Sequence, residues 1–197
     1  MQFVPTLPPE EVARANFYGL LARLFYAPPD ATLLQTLAAA QDLDAEDGAI
    51  AVAWHDLARA SAAAQPDAVR DEYETAFIGV GKAPITLYVS AYSVRFTNEV
   101  PLVRLRANLA ELGLGRRSEA NEPEDHIAAL LEVMRHLIAE QKRDLETQRE
   151  FFERWIWPIV QPLCDAIKQS EHMGYYRSVA RFAFAFLELE HSAFEML

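Results

Sequence analysis

Apolar positions recur at helical spacing along most of this chain, and prolines mark where each run starts and stops. Pro8-Pro9-Glu10-Glu11 opens the first run, followed by Val12, Phe17, Tyr18, Leu20, Leu21, Leu24 and Phe25, until Pro28-Pro29 ends it. Asp30 is placed to cap a short second helix with Leu33, Leu34 and Leu37 on one face. After an acidic turn from Asp42 to Gly48, a third helix is predicted from about Ala49 to Ala64 through Ile50, Trp54 and Leu57. Pro66-Asp67 starts a fourth, which runs through Val69, Tyr73, Phe77 and Ile78.

The period then breaks. Gly79-Val80-Gly81-Lys82-Ala83-Pro84 is incompatible with regular helix, and Gly79 to Tyr92 reads as an ordered loop, with Tyr88, Ser90 and Tyr92 alternating along an extended segment. Helical spacing returns from about Asn98 to Leu112. Gly113-Leu114-Gly115 and the polar Arg116-Arg117-Ser118-Glu119 follow. A sixth helix is predicted to open at Pro123, with Asn121 or Glu122 at or beside the cap and Ile127, Leu130, Leu131, Met134, Leu137 and Ile138 on its apolar face. A seventh spans about Leu145 to Lys168, kinked or interrupted by Pro158 and Pro162. The eighth, about Gly174 to His191, carries Tyr175, Tyr176, Phe182, Phe184 and Phe186, a density that predicts burial. The expected fold is all-α: one helical bundle of about eight helices over residues 1–197, with no internal repeat or linker.

Composition sharpens this picture in two places. Apolar residues make up 51% of the 197 and charged residues 24%, the balance of a globular domain with a sizeable core. The formal net charge of −11 disfavours nucleic acid and anionic membrane surfaces and favours a basic partner. No apolar stretch approaches the roughly 20 residues of a membrane span, and Met1 to Pro9 lacks the pattern of a secretory signal, so a cytoplasmic location is expected.

Several candidate chemistries are weak. Cys164, the single cysteine, excludes an intramolecular disulfide and a thiolate cluster, and its apolar surroundings read as core. Gly81-Lys82 lacks the earlier Gly and the following Ser or Thr of a phosphate loop. Glu188-x-x-His191 is one copy of a pair that a di-metal bundle needs twice. The stretch that stands out is Glu122-Pro123-Glu124-Asp125-His126. Pro123, Glu124 and Asp125 suit an ordinary helix start, but an imidazole beside two carboxylates at a helix mouth is a switchable group that capping alone does not require.

With its helix continuing through Ile127, Leu131, Met134 and Leu137, that stretch resembles the Glu-Pro-x-Asp-His motif of the TorD/DmsD/NarJ-type family of maturation chaperones for molybdenum-containing redox enzymes. A second, looser motif is Tyr73-x-x-x-Phe77-x-Gly79, then Pro84 and Tyr88-x-Ser90-x-Tyr92, where Leu87 stands in place of the family's usual Pro. The C-terminal order of Phe152, Trp155, Tyr175-Tyr176 and Glu188 is also similar, so the resemblance spans roughly Pro9 to Glu190. It implies a cytoplasmic, non-enzymatic chaperone without a cofactor of its own. Such a chaperone binds the twin-arginine signal peptide or N-terminal region of an apo molybdoenzyme catalytic subunit until its cofactor is inserted. In the family the Asp and His of the motif are implicated in peptide binding, which implies that role for Asp125 and His126. Some members bind guanine nucleotide weakly and some form domain-swapped dimers, so monomer and domain-swapped dimer both stay open.

The chemistry of such a peptide agrees. Its two guanidinium groups call for carboxylates, which Glu122, Glu124 and Asp125 offer. Its apolar stretch calls for a groove, to which Tyr88, Tyr92 and their neighbours contribute. The candidate peptide-binding residues are therefore Pro84, Tyr88, Ser90, Tyr92, Glu122, Pro123, Glu124, Asp125 and His126. The rival readings are a helical adaptor for another folded protein and a metal- or nucleotide-dependent helical enzyme. For a metal site, Asp125 and His126 are too few ligands.

Overall fold

Prolines and side-chain caps set where the helices begin and end. The computed structural model describes residues 7–40, 48–79, 83–93, 101–116 and 122–197. Gly81-Lys82, the start of the fifth predicted helix at Asn98, the cap candidate Asn121, Arg117-Ser118-Glu119 and all but Gly48 of the acidic turn lie outside those residues.

Among the described residues there are ten α-helices: α1 Pro9–Tyr26, α2 Ala31–Ala39, α3 Ala49–Ala63, α4 Pro66–Tyr73, α5 Ser90–Ser93, α6 Pro101–Glu111, α7 Ile127–Ala139, α8 Leu145–Trp155, α9 Trp157–Gln169 and α10 Tyr175–Glu195. The all-α expectation holds, and the count exceeds about eight for two reasons. Pro158, which has no amide hydrogen to donate, divides the predicted seventh helix into α8 and α9, whereas Pro162 is carried inside α9. The other addition is α5, a short helix where an extended segment was expected. A π-helical turn, Glu74–Ile78, prolongs α4 and ends at Gly79, whose φ of 63° suits a residue without a Cβ.

Local chemistry explains the other boundaries. Glu10 and Glu11 lie in the first turn of α1, at the positive end of its dipole, and the extended Ala27 before Pro28 stops the helix. The Asp30 and Asp144 carboxylates accept the Leu33 and Thr147 amides at 2.8 Å and cap α2 and α8. The cap of α10 comes from another element: Glu72 of α4 accepts the Tyr175 amide at 3.0 Å and the Tyr176 amide at 2.7 Å. Gly113, at φ 73°, closes α6, and the Leu114 amide returns to the Leu109 carbonyl at 2.8 Å.

The core lies between α1 and α7, which pack along each other, and around α10, which packs against α3 and α9. Phe17 makes ring contacts with Trp54, Phe182 and Phe186 at 5.7, 5.2 and 5.4 Å, and Phe152, Tyr176 and Phe182 are fully buried. Each such side chain contributes about 1.5–3 kcal/mol by leaving water. Tyr73 donates its hydroxyl to the Phe25 and Tyr26 carbonyls at 3.0 and 2.9 Å, satisfying acceptors that the end of α1 leaves unpaired. The Tyr26 side chain is itself exposed and lines the candidate site beside the start of α7.

Candidate functional site

The two sequence motifs meet through a single β-bridge. Tyr88 and His126 pair in antiparallel fashion, with the Val89 amide donating to the Asp125 carbonyl at 2.9 Å and the Ile127 amide donating to the Leu87 carbonyl at 2.8 Å. This pairing corrects the expected start of the helix. Had it begun at Pro123, the Ile127 amide would bond the Pro123 carbonyl. Instead that amide goes to Leu87, residues 123–126 make a turn closed by the His126 amide on the Pro123 carbonyl at 3.2 Å, and α7 starts at Ile127.

His126 is consequently the N-cap of α7. Its backbone is extended (φ −67°, ψ 133°), and its Nδ1 accepts the Ala128 amide at 3.2 Å. An accepting nitrogen must be unprotonated, which resolves the apparent misplacement of an imidazole at the positive end of a dipole. Burial lowers the His126 pKa below its ordinary value, and the nearby Glu122 and Asp125 carboxylates oppose that shift without reversing it. The ring meets Tyr88 edge to face, with centroids 5.3 Å apart.

The carboxylates that looked alike in sequence have three different fates. Asp125 is 5% exposed, and its Oδ2 faces the Ser90 amide at 3.4 Å while its carbonyl holds Val89. Glu124 receives both Nε and Nη2 of Arg106 on α6, at 3.1 and 3.0 Å, and this guanidinium holds its carboxyl below the usual carboxylate range. Glu122 is partly exposed and accepts the Tyr88 hydroxyl on Oε2. That bond is the main cause raising the Tyr88 phenol to about 12, so Tyr88 remains a donor at neutral pH. Among the described residues the second oxygen of Glu122 accepts no hydrogen bond.

Two cavities flank this cluster, and both touch Tyr26, Glu122 and His126. The larger, about 660 Å³, runs between α1, α6 and α7 past Ala22, Leu109, Leu114, Ala128, Ala129 and Val133, with Arg23, Arg116 and Arg135 at its polar edges. The smaller, about 220 Å³, is walled by Tyr73, Phe77, Ile78, Leu87 and Tyr88. Pro123 and Glu124 line the larger cavity, whereas Pro84, Ser90 and Tyr92 line neither. The extended alternation expected for Tyr88, Ser90 and Tyr92 ends at Val89, because α5 begins at Ser90 and turns the chain away. There the Tyr92 hydroxyl donates back to the Thr86 carbonyl at 2.9 Å. Sequence reasoning missed Tyr26, Arg23 and Arg106, each distant along the chain and without a local signal.

The candidate metal pair is not arranged around an ion. His191 Nδ1 lies 2.6 Å from Glu153 and its ring stacks on Trp157 at 4.1 Å, while Glu188 is exposed. Among the described residues no group of three or more His, Cys, Asp or Glu side chains is arranged to hold a metal ion. No helix among them is long and apolar enough to cross a membrane.

Comparison with known proteins locates this architecture. The family model described as nitrate reductase delta subunit matches residues 40–165. A chaperone protein TorD of Ferrimonas balearica is 27% identical, over 94% of each chain. Two others, from Photobacterium profundum and Aliivibrio salmonicida, are 26% and 30% identical, and each match covers 58% of this chain. Against those two the chain spans 58% and 59% of the relative's own length. A crystal structure from Archaeoglobus fulgidus, described as that of a redox enzyme maturation protein, superposes with a TM-score of 0.57 over 95% of this chain and 99% of the other. At 17% identity that similarity is one of fold.

Proposed function

The chain belongs to the nitrate reductase delta subunit family, of the TorD type of redox enzyme maturation proteins, and from that premise we propose that it is a chaperone, not an enzyme, that matures a molybdopterin oxidoreductase. In this reading it works in the cytoplasm, binding the N-terminal twin-arginine signal region of the apo catalytic subunit. It holds that subunit back from export while folding and cofactor insertion proceed.

The observation that carries the reading is the placement of Glu122 between a larger, mainly apolar cavity and a smaller one of mixed polarity. A twin-arginine peptide offers guanidinium groups followed by an apolar stretch, and a partly exposed carboxylate beside an apolar trough complements both. The net charge of −11 draws a basic segment toward the protein. The test is calorimetric titration of the chain with a synthetic twin-arginine signal peptide, beside the same peptide with both arginines changed to Gln. Binding that the control weakens supports the reading. Equal binding of the two, or none, rejects signal-peptide recognition through the arginines.

A further inference from the structure

Glu122, Asp125 and His126 share one motif, yet their side chains are committed very differently. Asp125 and His126 are each 5% exposed. The Asp125 carbonyl and carboxylate face the Val89 and Ser90 amides. His126 caps α7 through Nδ1 and pairs with Tyr88 across the bridge. Asp125 lines neither cavity, and His126, although it lines both, accepts only through Nδ1, so a client arginine would have to displace the Ala128 amide to pair with it, leaving a buried amide unpaired at a cost comparable to the bond it gained. Glu124 faces a cavity but is already engaged at both oxygens by Arg106. Glu122 is the carboxylate that touches both cavities and, among the described residues, has an oxygen left to accept, while the Tyr88 hydroxyl fixes its orientation through the other.

We infer that within this motif Glu122 alone receives the client guanidinium, and that Asp125 and His126 are positioning residues, holding residues 87–90 and the start of α7 so that Tyr88 can aim Glu122 between the two cavities. This division of labour rests on the signal-peptide reading above. It also departs from the role that the family resemblance implies for Asp125 and His126.

The experiment titrates the full chain and four variants with the twin-arginine peptide and its double-Gln control, each variant being checked for an intact thermal transition. A charge-assisted hydrogen bond corresponds to about a 10- to 100-fold preference of the unaltered protein for the arginine peptide. Glu122→Gln is expected to bring that ratio to within about twofold of one while still binding the control. Asp125→Asn is expected to weaken both peptides by a similar factor and keep the ratio. His126→Ala should do the same, and His126→Asn, which preserves a good N-cap, should restore both affinities. The inference is overturned if Glu122→Gln keeps the preference, if Asp125→Asn abolishes it, or if His126→Asn binds no better than His126→Ala. A protein that shows no preference before any substitution overturns the signal-peptide reading as well, which separates the two failures. Because Glu122 is partly exposed and takes no part in the bridge or the cap, its variant does not depend on a buried group for folding.

Discussion

His126 accepts the Ala128 amide on Nδ1 at 3.2 Å while its ring stands edge to face against Tyr88. One side chain thereby ends the loop motif, starts α7 and lines both cavities. The bond requires a neutral ring, and its consequence is a pH dependence of stability. Burial lowers the folded-state pKa below the unfolded value, which is about 6.5. As pH falls the unfolded chain therefore takes up the proton first. The stabilisation is complete above about pH 6.5 and is lost as pH falls from there through the folded pKa. Urea midpoints measured from pH 5 to 8 for the protein and for His126→Asn, which does not titrate there, isolate this contribution. The protein should lose stability relative to the variant below about pH 6.5, and parallel curves would show that the ring does not titrate with folding. His126→Ala should cost about 1–2 kcal/mol at pH 7.5 through loss of the cap.

Away from the site, Arg14 and Glu190 join the two ends of the chain. Arg14 Nε and Nη2 reach the two Glu190 oxygens at 2.8 Å each, and the buried Tyr18 hydroxyl adds a third bond at 3.0 Å. Glu190 is 4% exposed, so Arg14→Ala strands a buried carboxylate and should cost about 3 kcal/mol. The double change Arg14→Met with Glu190→Leu should cost less than Arg14→Ala alone, because no buried charge is then left unpaired; Glu11, the other partner of Arg14, is partly exposed. Chemical denaturation of the two variants makes the comparison, and equal losses would mean that packing of the guanidinium stem dominates.

Cys164 is buried on α9, and burial pushes its thiol up to about 12. Thiolate is the reactive form, so a thiol reagent at pH 8 should leave the native protein unmodified and react at the rate of global unfolding. Rapid labelling in the absence of denaturant would show that α9 opens locally.

Peptide affinity should fall as salt rises, because the pair formed at Glu122 is near solvent and screened over about 8–10 Å at 0.1–0.15 M ionic strength. Titrations of the arginine peptide at several NaCl concentrations should lose affinity toward the level of the double-Gln control, whose own binding should change little. Affinity for the arginine peptide that is independent of salt would place recognition in contacts other than an ion pair at Glu122.

The sequence by itself determined the all-α class, most helix boundaries and the location of both motifs. The relevant signals are local: Pro8-Pro9 and Pro28-Pro29 bracket α1, Asp30 and Asp144 cap the helices beside them, and apolar residues repeat at the helical period along α7. Only the tertiary structure decided where α7 begins, because the Ile127 amide chooses between Pro123 four residues back and Leu87 forty residues back, and no local pattern records the second option. The same holds for the carboxylates. Glu122, Glu124 and Asp125 are chemically near-equivalent in sequence, and they become a partly exposed acceptor, an Arg106 partner and a buried tether through contacts with α6 and the 83–90 segment. Periodicity and capping act within a few residues and can be read along a chain. The fate of a charge depends on desolvation and on partners that folding brings in from far away, so it becomes visible once the chain has folded.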